Sequence, residues 1–277
     1  MVFFDLLKSK PVLDEESVEW LFGIYAWALK NFDAHVFYNE TILVVPSNEY
    51  FPGREDSIDG MAALMFDKVK EYAGLKHWPC RLEPLSTSCQ TETPGIMLQG
   101  ALRGSAGIIA ENVAEENRLP VRYDPRQVTN PEAMIASFAH TLADYLASMA
   151  AEPPPGSEEN WPQVTEILAV FMGFGLMFAN SAFVYRNVAC GSCQPRRIER
   201  RSYLSQYDTT YALAIFSVLK GIPNQQVLKH LKKSLRPYYK KAVKDILRHS
   251  DQLNQLKNVE GLSSHELAHT ADQRAQI

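Results

Sequence analysis

The sequence predicts an α+β fold, a small and mostly antiparallel sheet packed on a mainly helical body. Three observations carry that expectation. Long stretches toward both ends place apolar residues at helical spacing, while short β-branched runs broken by glycine are confined to residues 41–123. The 277 residues are 46% hydrophobic and 22% charged, a balance that supports a sizeable core and excludes collagen-like, disordered and polytopic membrane classes.

The elements follow in order. Residues 14–31 repeat apolar side chains at Val18, Leu21, Phe22, Tyr25, Ala26 and Leu29, with Asp14, Glu15 and Glu16 where a helix dipole favours negative charge. Thr41–Pro46 reads as a short strand stopped by proline, and 57–72 as a helix with Met61, Leu64, Met65, Val69 and Tyr72 on one stripe. Strands are expected at 81–84, 96–99, 106–110 and 119–123. Asn130-Pro131-Glu132 opens a helix, Asn130 capping and Pro131 at the first position, that runs through Phe138, Leu142, Leu146 and Met149. The Pro-rich stretch 152–159 ends it as an exposed loop, and helices follow at 161–185, 208–220, 224–235 and 237–257. The reading is one domain over residues 1–257, its sheet in about 40–125 and its helical part in about 130–257. A flexible tail, 258–277, closes the chain.

Ile167 to Tyr185 is a run of 19 residues without a charge, long enough to cross a bilayer. Gly173, Gly175, Asn180 and Ser181 dilute it, so it is read as a central helix buried on all sides, with no membrane contact. The N-terminal residues lack the order of a secretory signal, and Cys80, Cys89, Cys190 and Cys193 are too few for a disulfide scaffold; both point to the cytoplasm. The formal net charge of −4 is deceptive. Residues 1–185 carry 12 basic against 25 acidic side chains, whereas 186–277 carry 16 against 7.

His140 and Asp144 lie four residues apart on the helix that Pro131 opens, and so project from one face, as two ligands of one metal would. Around them run Asn130 to Ala139-His140, then Thr165-Glu166 leading into the Gly-rich run that ends at Ala179-Asn180, then Arg201-Ser-Tyr-Leu-Ser-Gln206 and Tyr211-Ala-Leu-Ala214. Phe51-Pro52 and Tyr72-Ala-Gly-Leu75 lie upstream. In the order of these segments, over roughly residues 15–250, the chain resembles a group of bacterial zincin-like proteins related to His-Glu-x-x-His metallopeptidases.

The resemblance implies a zincin-like fold and a metal site of His140, Asp144 and Glu166, zinc being the metal such a set would hold. The motif is degenerate: Thr141 replaces the glutamate that takes the proton of zinc-bound water, Asp144 replaces the second histidine, and Gln163 stands where another acid is expected. A threonine hydroxyl does not act as a base near neutral pH, so no catalytic residue is assigned. The expectation is a non-catalytic relative that binds a protein or peptide partner without a cofactor. A metal-dependent hydrolase using His140, Asp144 and Glu166 is the alternative.

Three other features carry chemistry. His265-Glu266-Leu-Ala-His269 is a literal His-Glu-x-x-His with eight residues after it, too few to supply a third ligand of the usual type. Cys190-Gly-Ser-Cys193 has zinc-knuckle spacing, but Cys80 and Cys89 lie in another region. The basic tract of Arg196, Arg197, Arg200, Arg201, Lys229, Lys232, Lys233, Arg236, Lys240, Lys241 and Lys244, interleaved with Tyr238 and Tyr239, gives a further alternative, a regulatory protein binding nucleic acid or another polyanion. Against it, the apolar stripe from Val227 to Leu247 makes the lysines a solvated outer face, and the acidic half is available to attract them.

Overall fold

Helix α1, Glu15–Asn31, begins where Asp14 leaves the helical region and its carboxylate accepts the Ser17 N–H at 2.8 Å. The computed structural model describes residues 12–85, 100–108, 113–156, 158–181 and 202–259 of the chain. At the end of α1, Trp27 Nε1 donates to the Glu152 carbonyl at 2.7 Å and Asn31 accepts the Glu152 N–H, so the helix end ties down a distant loop. A π-helical turn, Val36–Glu40, follows.

Residues 41–45 carry no regular secondary structure and, among the described residues, pair with no strand. Thr41, Leu43, Val44 and Val45 are buried among helices, and the Val44 N–H donates to the Gly173 carbonyl at 3.0 Å. The strand expected here is a strap, because the free carbonyl it meets belongs to a kinked helix. Helix α2, Ile58–Ala73, is capped by Ser57, whose side chain accepts the Gly60 N–H. It is closed by Gly74 in the left-handed region, where glycine carries no Cβ penalty.

The sheet consists of β1, Cys80–Pro84, and β2, Leu119–Tyr123, paired in parallel from Cys80 opposite Leu119 to Pro84 opposite Tyr123. This corrects the antiparallel expectation. The strands are separated by 34 residues in sequence, and a parallel pair cannot be joined by a hairpin but requires a long crossover connection. Of the other expected strands, 96–99 lies outside the described residues, as do 109–110. Within 106–108 only Gly107 pairs, in an isolated antiparallel bridge to Gly100.

Helix α3, Pro131–Ser148, packs on β2, where Tyr145 Oη donates to the Pro120 carbonyl at 2.7 Å. It also packs on α4, Trp161–Ala169, and α5, Gly175–Ser181. Between α4 and α5 the π-helical stretch Val170–Phe174 carries Gly173 at φ +102°, where the strap crosses. Trp161–Ser181 is long and apolar enough to span a membrane, yet 94% of its most apolar window is buried inside the protein. It is covered by α1, α3 and α6, Gln206–Leu219. The expected continuation to residue 185 lies outside the described residues.

The last helices are shorter than expected. Helix α7, Asn224–His230, stops where Leu231 turns extended, and the run expected at 237–257 is two helices, α8 (Arg236–Ile246) and α9 (Ser250–Lys257). The break at Leu247–His249 redirects the chain from α6, on which α8 packs, to α1, on which α9 packs. One continuous apolar core runs from Val18 to Leu256.

Candidate functional site

Helix α3 is fixed by its own cap, since Asn130 accepts the Ala133 N–H, and by Ala, Leu and Phe side chains that bury one face. That leaves His140, Thr141 and Asp144 partly exposed along one edge. Helix α4 lies against this edge. His140 Nε2 is 2.9 Å from Thr165 Oγ1, and the same hydroxyl lies 3.1 Å from the Pro162 carbonyl. A hydroxyl has one proton, so both contacts are satisfied together when Thr165 donates to Pro162 and accepts from an Nε2–H of His140. That tautomer presents no Nε2 lone pair to a metal. Tyr203 stacks on the imidazole, ring centroids 5.9 Å apart at 28°, and Phe178 flanks it at 6.5 Å.

Asp144 and Glu166 are likewise engaged. Trp161 Nε1 donates to Asp144 Oδ1 at 2.6 Å, tying the first turn of α4 to α3. Glu166 is fully buried and accepts the Tyr203 N–H (3.2 Å) and the Leu204 N–H (2.9 Å), with Ser202 Oγ 3.3 and 3.2 Å from its oxygens and 2.8 Å from the Leu204 carbonyl, so it organises the turn that leads into α6. Charge-assisted bonds of this kind are the strong class, each stabilising by roughly 1.5–3 kcal/mol. Thr141 donates its hydroxyl to the Ser137 carbonyl one turn back at 3.1 Å. Gln163 Oε1 is buried and has no hydrogen-bond partner among the described residues.

The structure therefore brings His140 and Glu166 to the same tyrosine, Tyr203, and sets Asp144 one turn along against Trp161. Among the described residues, no group of three or more His, Cys, Asp or Glu side chains is gathered as a metal site. As arranged, His140, Asp144 and Glu166 are not gathered as one ligand set, and His140 Nε2, Asp144 Oδ1 and the Glu166 oxygens each lie within hydrogen-bond distance of other protein groups. The sequence reading did not single out Trp161 or Tyr203 for this region. Tyr203 lay within a noted segment, and Trp161 had only its place at the start of a helix to mark it.

The remaining sequence candidates divide by region. His265, Glu266 and His269 lie outside the described residues, as do Cys89, Cys190, Cys193, Arg196, Arg197, Arg200 and Arg201. Cys80 is a free thiol in β1, pushed by burial up to about 11, away from the thiolate form that metal binding or redox chemistry uses.

One charged residue was not anticipated at all. Arg103 is fully buried, donating through Nε to the Ala73 carbonyl and through Nη2 to Thr41 Oγ1, both at 2.7 Å, and it lies over the Phe171 ring. Burial lowers it to about 10, against the pull of Glu40 and Asp33, so it stays charged at neutral pH. It pins the loop at 100–108 to the end of α2 and to the strap.

The cations of α7 and α8 stand apart. Lys229, Lys232, Lys233, Lys240, Lys241 and Lys244 are exposed, and among the described residues none of them forms an ion pair. The expected attraction to the acidic half is thus not realised as salt bridges there. Comparison of the chain with protein-family models, curated proteins and solved structures gave no match.

Proposed function

We propose that this protein is a non-catalytic, cytoplasmic relative of zincin-like metallopeptidases that acts by binding a protein or peptide partner. The finer fold assignment, zincin-like, rests on the order of motifs from Asn130 to Ala214 and on the pairing of α3 with the kinked apolar helix. One observation carries the functional reading: the side chains that would ligate zinc serve instead as hydrogen-bond partners of Thr165, Trp161 and the 202–204 turn. A former catalytic seam becomes a structural one. The threonine at position 141 supports the same view, since its hydroxyl is tied to its own helix and is no general base.

Elemental analysis of untagged protein, with thermal unfolding in excess zinc and in chelator, tests this reading. Expected are far less than one zinc per chain and the same unfolding temperature in both, because no metal binds the native state. One zinc per chain, lost in His140→Ala, would overturn it in favour of a hydrolase with His140, Asp144 and Glu166 as ligands.

A further inference from the structure

Residues 221–249 contain eight Lys and Arg side chains and one acid, Asp245. That acid is turned inward: it accepts from Tyr211 Oη at 2.9 Å and has Arg248 and His249 each at 3.9 Å. The other acids near this face are also committed, Asp208 to the N-cap of α6 and Glu132, partly buried, beside Lys232. Proteins ordinarily intersperse the two signs on a surface, since unrelieved like charge repels itself. Six exposed lysines on α7, α8 and the turn between them, in no salt bridge among the described residues, form a surface suited to a ligand of opposite charge.

Geometry narrows the ligand. The inner face of α8 is consumed by the core through Tyr239, Ala242, Val243 and Ile246, so it cannot turn into a bilayer, and Leu247 is the one large apolar side chain exposed on this stretch. Lys240 and Lys244 lie four residues apart on one side of α8, about 6 Å along its axis, with Lys241 next to Lys240. Tyr207, 47% exposed at the start of α6, meets Tyr238 in the first turn of α8 with ring centroids 4.8 Å apart. Clustered exposed cations with an exposed aromatic on the adjoining helix are the combination that holds a single strand, phosphates on the lysines and a base on the ring.

We propose that the α7–α8 face is a docking surface for single-stranded nucleic acid, with Lys240, Lys241 and Lys244 on its phosphates and Tyr207 available to a base. The surface lies on elements other than the His140 region and stands whether or not that region holds metal.

Fluorescence anisotropy of the full chain with labelled oligothymidylate, titrated between 50 and 200 mM salt, is the test. Each phosphate contact contributes about 0.7 to the slope of log affinity against log salt, so three to six contacts weaken binding ~20- to ~300-fold over that range. Lys240→Gln, Lys241→Gln and Lys244→Gln together lower the slope by about 2 while leaving circular dichroism and unfolding temperature unchanged. Tyr207→Ala lowers affinity about fivefold or more. Absence of binding at 50 mM salt would overturn the proposal, as would a triple variant with the wild-type slope. A Tyr207→Ala affinity equal to wild type, or tighter binding to phosphatidylserine vesicles than to the oligonucleotide, would replace it with a general polyanion or a lipid surface.

Discussion

Replacing Gly173 with alanine tests the central joint of the fold. Gly173 sits at φ +102°, a region that side-chain-bearing residues occupy with roughly 1–3 kcal/mol of strain. A Cβ added there would stand 2.1 Å from the Ile42 carbonyl oxygen, which is backbone and cannot rotate aside. Ordinary contact begins at 3.4 Å, so the oxygen must retreat by more than 1 Å, and a shift of that size moves the strap off the kink. The Val44 N–H···O Gly173 bond, 3.0 Å long and fully buried, is then lost at a further cost of about 1–3 kcal/mol. The two terms give a destabilisation of about 2–6 kcal/mol. Urea denaturation followed by tryptophan fluorescence measures it, and with a slope near 3 kcal/mol/M the midpoint falls by about 0.7–2 M. A loss below about 1 kcal/mol would refute the reasoning, since it would mean that the strap and the kink do not depend on each other.

Two further outcomes follow from buried polar groups. Glu166→Gln keeps the size of the side chain but turns one acceptor into a donor facing the Tyr203 or Leu204 N–H, so stability falls by about 2–4 kcal/mol in the same urea assay; an unchanged midpoint would show that the carboxylate does not hold the turn. His77 is buried, and burial lowers its pKa in the folded protein below the unfolded value of about 6.5. The unfolded chain therefore binds the proton first, so this contribution is complete above about pH 6.5 and is lost as pH falls below it. Calorimetry at pH 7.5 and 5.5 should show a smaller drop in unfolding temperature for His77→Gln than for the wild type, and equal drops would remove His77 as a cause.

Helices were read most reliably where caps and periodicity agreed. Asp14, Ser57 and Asn130-Pro131 each mark a start that the structure keeps within a residue or two, because a cap is a local interaction written into neighbouring positions. Tertiary partners were not legible. Thr41–Pro46 has the composition of a strand, and nothing in those six residues says that the available carbonyl belongs to a helix kink 130 residues away. Glycine in the apolar run was read as dilution of a membrane span, whereas Gly173 is where that helix gives way to let the strap in. At the site, the spacing of His140 and Asp144 correctly placed both on one edge of α3. The competition for their polar atoms came from Thr165 and Trp161 across the interface, and no pattern within α3 could announce it. Arg103 was missed for the same reason: its carbonyl, hydroxyl and ring partners come from three separated segments.

The apolar helix Trp161–Ser181 has a consequence for the order in which the chain must assemble. Two of its covers, α1 and α3, precede it, but α6 lies beyond residue 205, so an emerging chain displays a bilayer-length apolar segment before that last cover has been synthesised. Early docking of the strap on Gly173 would bend the segment and occupy one flank during that interval. Fragments ending between Ser181 and α6 lack this shelter and are the ones that should be lost to aggregation or drawn to membranes, although the finished protein keeps the same residues in its interior.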